Sequence, residues 1–176
     1  MNEEERKLLW SIDQILQDPS VAAKIDRIAD RVEQEFTKCA DLLAWESIPL
    51  EIYGNKLPGM IRSSWVFLLR KGSSSGAERH PNSHQRVRSW RRRGDLQIWL
   101  EDRWKSHVLL DDFHAPIEDR WASIPVNIWH QAVVTDGEHW VVVSFHTAAA
   151  AELIEERPDP ADAKRMQRRI YTEAHS

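Results

Sequence analysis

The chain has 176 residues, of which 41% are hydrophobic and 30% charged, with a formal net charge of −4. This length supports one domain with an appendage around a sound core, and the composition is that of a globular chain rather than a disordered or membrane-embedded one. The negative charge gives no general pull toward nucleic acid or anionic lipid, and runs as short as Trp140–Val143 cannot span a bilayer.

The first 44 residues read as helical. Residues 3–17 predict a short helix, and Asp18-Pro19-Ser20 supplies a break and an N-cap. Val21, Ile25, Ile28, Val32 and Phe36 then recur at helical spacing and line one face of a longer helix. That face is expected to pack on the chain's own domain, ahead of a role in pairing with a partner. Cys39, the one cysteine, excludes an intrachain disulfide and reads as a small buried hydrophobe at the end of this helix. The acidic start, "MNEEERKLLW", differs from the basic opening of a signal peptide, and together with the cysteine count it predicts a cytoplasmic protein.

From Trp45 the pattern changes. "NKLPG", "KGSSSG", "RRRGD" and "TDGE" punctuate short runs such as "SSWVFLLR", "QRVRSW", "LQIWLED", "DRWASIP" and "HWVVVSFHT". Leu96, Ile98 and Leu100 share a face by alternation, as do Gln85, Val87 and Ser89. Many short strands at regular spacing predict a β-barrel or sandwich over residues 45–147. Residues 148–176, opening on an alanine run, predict a helical tail broken at Pro158 and Pro160. The nine tryptophans are expected mainly as core filler.

Two phrases carry candidate chemistry. "ERHPNSHQ", Glu78 to Gln85, places Glu78 and His80 two residues apart, so an extended strand points both to one face. After the Pro81-Asn82-Ser83 turn, the next strand returns Gln85 to that face. "IPVNIWHQ", Ile124 to Gln131, brings His130 from another strand. Together these phrases resemble the paired motifs of the cupin superfamily, small jelly-roll barrels that often hold one metal ion. His80 stands where the second histidine of that family's pair belongs, Gln85 in the glutamate place, and Gly94 in the closing turn. Pro125, Asn127 and His130 match the second motif, with Asn in place of Gly.

The resemblance implies an all-β cupin core, a double-stranded β-helix, flanked by the N-terminal helical pair and the C-terminal helical tail. It implies a metal set of Glu78, His80, Gln85 and His130, in which Glu78 replaces a histidine and Gln85 a glutamate. One carboxylate, two imidazoles and an amide oxygen suit Fe, Mn, Ni, Co or Zn as a divalent ion. Glutamine in that place is similar to the cupin hydroxynitrile lyases, which bind manganese or iron through three histidines and a glutamine. A bulge at the turn would instead bring in His84, giving a set of His80, His84 and His130.

Strict alternation points His84 outward, and puts His146 on the face of Ser144 as a hydrogen-bonded barrel residue. His107, His114, His139 and His175 read as surface, and Arg91–Arg93 as a hairpin tip facing Glu101-Asp102 and Asp111-Asp112. Trp65, Trp99 or Trp129 are candidate pocket walls. The expected function is a metal-dependent small-molecule enzyme, an oxygenase, lyase or isomerase. The alternative is a metal-free cupin that binds a small molecule without catalysis. The family habit implies a homodimer.

Overall fold

Glu3–Leu16 form helix α1 and Pro19–Phe36 form helix α2 in a computed structural model that describes residues 1–135 and 137–173. Asn2 caps α1 by accepting from Glu5 N at 2.8 Å. Asp18 caps α2 by accepting from Ser20 N at 2.9 Å, and Pro19 opens the helix where a missing N–H costs nothing. All five apolar residues predicted for one face of α2 are buried. With Leu9, Ile12 and Leu16 of α1 they pack on Val66, Leu68, Val141, Val143 and Phe145 of the domain itself.

The strands follow in order: β1 (Leu43–Ser47), β2 (Ser63–Leu69), β3 (Ser73–Ser74), β4 (Gln85–Arg91), β5 (Gly94–Leu100), β6 (Arg103–Lys105) and β7 (Val108–Leu109). A short helix α3 (Ile117–Arg120) leads into β8 (Trp121–Ile124), β9 (His130–Val134) and β10 (Trp140–His146). One antiparallel sheet runs β1-β2-β10-β4-β8, and a second runs β3-β9-β5-β6, with β7 also paired to β5. The early strands thus pair with the late ones, β2 with β10 and β3 with β9, while the chain crosses between the sheets from β3 to β4, β4 to β5, β8 to β9 and β9 to β10. Such a doubled-over ribbon is a jelly roll, and it is the cupin-type core that the two motifs imply.

Alternation along each strand divides two apolar cores. On β10, Val141, Val143 and Phe145 face the helices, whereas Trp140 and Val142 face the second sheet. The same split on β2 sends Val66 and Leu68 outward and Trp65, Phe67 and Leu69 inward. Because both faces of this sheet are covered, β2 and β10 are buried at every position, which is why Trp65–Leu69 and Trp140–Val143 read as unbroken apolar runs. Between helices and sheet lies a thin ionic layer. There Glu5 pairs with Arg86, Asp13 with Arg120, and Asp26 accepts from Trp90 Nε1 at 3.0 Å.

Four expectations need correction. The predicted helical tail is a β-hairpin, β11 (Ile154–Asp159) with β12 (Asp162–Ile170), and the alanine run makes only a single 3-10 turn at Ala150–Glu152. The alanines' helical preference yields to tertiary pairing: Arg79 and Glu156 exchange two backbone hydrogen bonds of 3.0 Å, which fasten β11 to the core. Cys39 is exposed, because it falls in the turn after α2. Arg91 and Arg92 bind the acidic face of α2 at Asp26, Asp30 and Glu33, although Arg92 N also donates to Asp111 at 2.6 Å. His107 and His139 are half-buried rather than surface, the first against Glu118 O at 2.6 Å and the second edge-on to Phe36. His114 is exposed as expected, and His175 lies outside the described residues. No helix among the described residues is long and apolar enough to cross a membrane.

Candidate metal centre

Backbone pairing places the key side chains. Glu78 and His130 exchange two main-chain bonds, Glu78 N to His130 O at 2.9 Å and His130 N to Glu78 O at 2.8 Å. Two residues on, His80 O accepts from Asn127 N at 2.9 Å. Asn127 has φ 66°, a left-handed conformation that asparagine tolerates better than most residues. This explains why Asn can stand where the family motif has Gly. Gln85 opens β4 opposite His146 of β10, so it enters from the first sheet while His130 enters from the second.

One donor atom each from Glu78, His80 and His130 lies within 4.8 Å of the others. His80 Nδ1 lies 3.0 Å from Ile154 O, and His130 Nδ1 lies 3.1 Å from Ile128 O. Carbonyls only accept, so each Nδ1 carries the proton and each Nε2 is left with a lone pair, as in metal-binding histidines. His130 Nε2 then sits 3.4 Å from Glu78 Oε1. Two acceptors at that separation call for a cation or a proton between them. His130 Nε2 and Gln85 Oε1 are buried and have no hydrogen-bond partner among the described residues. Gln85 is held only loosely on its other side, by Nε2 at 3.5 Å from Ser144 Oγ.

The charges follow from burial and neighbours. Burial pushes the Glu78 carboxyl up, but the His130 ring and the Arg157 guanidinium outweigh it and hold the group below the usual carboxylate range. His80 is pushed down by burial and then by His130. Burial drives His146 further down, helped by His80 and His130. An ionised carboxylate beside a His80 imidazole held toward its neutral form is the protonation state that metal binding requires. Tyr171 is pushed well up by burial and then by Glu78 and Glu155, so its phenol keeps its proton.

Glu78, Gln85, His130 and Tyr171 line a small cavity whose other walls include Phe67, Leu69, Val87, Leu96, Trp140 and Val142. Of the predicted tryptophan walls, Trp65 lies behind the site with its ring 4.9 Å from His146. Trp99 pairs with Trp104 on a partly exposed hairpin, and Trp129 lies under Arg79. Trp140 is the tryptophan that walls the cavity. The alternative set with His84 does not form: His84 faces the helices, with Nε2 at 2.7 Å from Ser123 Oγ and 3.8 Å from Glu5. His146 is fully buried with its ring 5.1 Å from His80, and its Nε2 is taken by Ser144 Oγ at 2.7 Å. Alternation places it on the face of Ser144, and the fold turns that face toward His80.

Arg157, Glu155 and Tyr171 had no such signal, because they belong to the segment expected to be helical. The hairpin delivers Arg157 onto Glu78 in a close ion pair, with Arg157 Nε on Glu155 at 2.7 Å. Tyr171, just after β12, packs against Trp45, Trp65, Phe67 and His80.

No protein-family model matches the sequence, and no curated protein matches it. Similar solved structures include oxalate decarboxylase of Lactobacillus farciminis in its formate complex, at 10% identity and TM-score 0.45 over 60% of this chain and 29% of that one. CapF with the inhibitor 3-isopropenyl-tropolone is 12% identical, with TM-score 0.48 over 71% and 31% of the two chains. The coconut allergen cocosin is 15% identical, with TM-score 0.49 over 65% and 29%. The chain therefore spans about 30% of the length of each of these proteins.

Proposed function

We propose that the chain binds one divalent metal ion through Glu78, His80, Gln85 and His130, and acts on a small molecule in the adjoining cavity. One observation carries this reading. His130 Nε2 and Gln85 Oε1 are unpartnered buried acceptors of residues that wall the same cavity as ionised Glu78. An unpaired buried polar atom costs about 1–3 kcal/mol, and a cation would satisfy both. The donor set suits Fe(II), Mn(II), Ni(II), Co(II) or Zn(II). Such an ion supplies Lewis acidity at its open positions. The chain's own residues do the rest. Phe67, Leu96, Trp140 and Val142 exclude water, and Tyr171 holds a proton on its phenol oxygen in the same wall. Oxygenase, lyase or isomerase chemistry on a small molecule fits this environment. The reading also takes the protein as a cytoplasmic homodimer, for which analytical ultracentrifugation is the check on assembly.

The test is metal analysis of the purified protein combined with thermal unfolding. An ion at one hundred times its Kd adds about 2.7 kcal/mol of stability, which raises Tm by roughly 5–10 °C for a domain of this size. The double variant His80→Ala, His130→Ala should lose both the metal and the rise. Protein with no stoichiometric metal and no thermal response to Mn(II), Fe(II), Co(II), Ni(II) or Zn(II) would sink the proposal. The ion pair between Glu78 and Arg157 favours a second reading, since it already gives the carboxylate a counter-ion. In that case the cavity holds its small molecule without metal and without turnover. Metal-dependent turnover of any bound molecule removes that alternative.

A further inference from the structure

A second pocket lies on the seam between the sheets, where β8 ends the first and β5 runs within the second, with Glu5 of the first turn of α1 over it. It holds about 440 Å³ and shares no lining residue with the cavity beside His130. Clefts that bind small molecules run to about 300–1,000 Å³, with apolar walls and a few placed polar groups. Here Ile98, Leu100, Pro125 and Ile128 supply the apolar walls, and Glu5, Ser123, His84 and His107 the polar ones.

The directions of the hydrogen bonds decide what such a pocket can recognise. The Glu5 carboxylate accepts from Arg86 Nε at 2.7 Å, from Arg86 Nη2 at 2.9 Å and from Ser123 Oγ at 2.7 Å. A carboxylate only accepts, so Ser123 gives its one proton to Glu5 and must itself accept from His84 Nε2, 2.7 Å away. This order places the hydroxyl between carboxylate and imidazole, so His84 is not a base set to activate Ser123. In the neutral ring the proton then sits on Nε2. Nδ1 keeps a lone pair that has no hydrogen-bond partner among the described residues, on a side chain 26% exposed. His107 is fixed in the same way, with Nε2 donating to Glu118 O at 2.6 Å and Nδ1 left as the acceptor.

Charged ligands do not fit this arrangement. Glu5 is neutralised by Arg86, so no uncompensated side-chain charge faces the pocket. The imidazole and carboxylate atoms are also too far apart for an ion: the donor group close enough to hold a metal among the described residues is Glu78, His80 and His130. What remains is an aliphatic-walled pocket whose unused polar atoms are acceptors. The geometry points to a second binding site, for a neutral apolar molecule carrying a hydroxyl, an alcohol or a phenol, which donates to His84 Nδ1 and lays its body against Ile98, Leu100 and Ile128. The inference does not depend on the metal reading.

The experiment titrates phenol and anisole into the nitrogen-labelled full chain at slightly alkaline pH and follows the amide NMR spectrum. Anisole keeps the ring and the oxygen but has no O–H to give. Phenol should move the amide signals of His84, Ile98, Leu100 and Ile128, and should bind about three- to tenfold more tightly than anisole, the scale of one net hydrogen bond. His84→Ala should remove that preference while anisole still binds. Leu100 is 44% exposed, so Leu100→Trp leaves the core untouched and should close the pocket to both probes. The inference is overturned by equal binding of the two probes, by a preference that persists in His84→Ala, or by unchanged phenol binding in Leu100→Trp. It is also overturned if phenol fails to bind, or moves the signals of Trp140 and Val142 in the barrel cavity instead.

Discussion

Asp13→Asn removes one negative charge from the ionic layer between α1 and the first sheet. Asp13 is fully buried and accepts from Arg120 Nη1 at 2.6 Å, Trp121 Nε1 at 2.8 Å and Gln17 Nε2 at 2.6 Å, with Arg88 Nε 3.4 Å away. Arg88 and Arg120 are 0% and 1% exposed. Burial pushes the Arg88 guanidinium down to about 10, and Asp13 is the foremost charge that resists this. Asparagine keeps the volume and one acceptor oxygen, so the substitution tests charge rather than packing. Removing one partner of a buried pair costs about 3–5 kcal/mol. Here two guanidiniums lose the same partner, so the upper half of that range, about 4–5 kcal/mol, is expected. At about 2–4 °C per kcal/mol, Tm should fall by roughly 8–20 °C. Urea unfolding followed by tryptophan fluorescence at neutral pH measures the loss, and an unchanged m-value confirms that the same transition is compared. A loss below about 1 kcal/mol, the size typical of an exposed pair, would refute the claim that this layer is dry and charge-coupled.

Two further outcomes follow from particular contacts. A Cβ on Gly94 would overlap the Trp140 ring, so Gly94→Ala should cost about 1–3 kcal/mol as an overpacked site; an unchanged denaturation midpoint would show that Trp140 moves freely. Glu5 governs the acid limb of stability. Burial raises its carboxyl, but hydrogen bonds from Arg86 and Ser123 outweigh this and hold it below its ordinary 4.5. Its contribution is therefore present above the unfolded value and lost as pH falls through the lower folded one. His84, pushed below 6.5 by burial and then by Arg86, adds an acid loss that sets in as pH falls through its unfolded value and is complete below its lower folded one. Glu5→Gln should thus be less stable than the parent at neutral pH and converge with it in strong acid. A gap that stays constant across urea titrations from neutral to acid would contradict this.

Much of this architecture is legible in the sequence, because its signals are local. The spacing of Val21 to Phe36 gives α2 and its buried face, and Asp18-Pro19 gives its start. The punctuated strands give the jelly roll, and the i, i+2 placement of Glu78 and His80 brings both to His130. The outward turn of His84 follows from period-two alternation alone. What escaped depends on distant partners. The alanine run before Leu153 favours helix locally, yet Arg79 offers Glu156 a strand edge, and pairing wins. Arg91 and Arg92 lie near acidic residues in sequence, but α2 lies nearer in space.

By itself, the sequence determined the two N-terminal helices and the strand-rich core after them, and it named the candidate donors Glu78, His80 and His130 that the fold brings together, since each rests on periodicity or on side-chain chemistry that needs no remote neighbour. Only the tertiary structure decided that His146 sits against His80 and that Trp140 walls the cavity. It alone decided that the C-terminal hairpin carries Arg157 and Tyr171 onto the site. Those contacts join residues far apart in the chain, and their energy comes from burial and charge pairing that exist only once both sheets and the hairpin are in place.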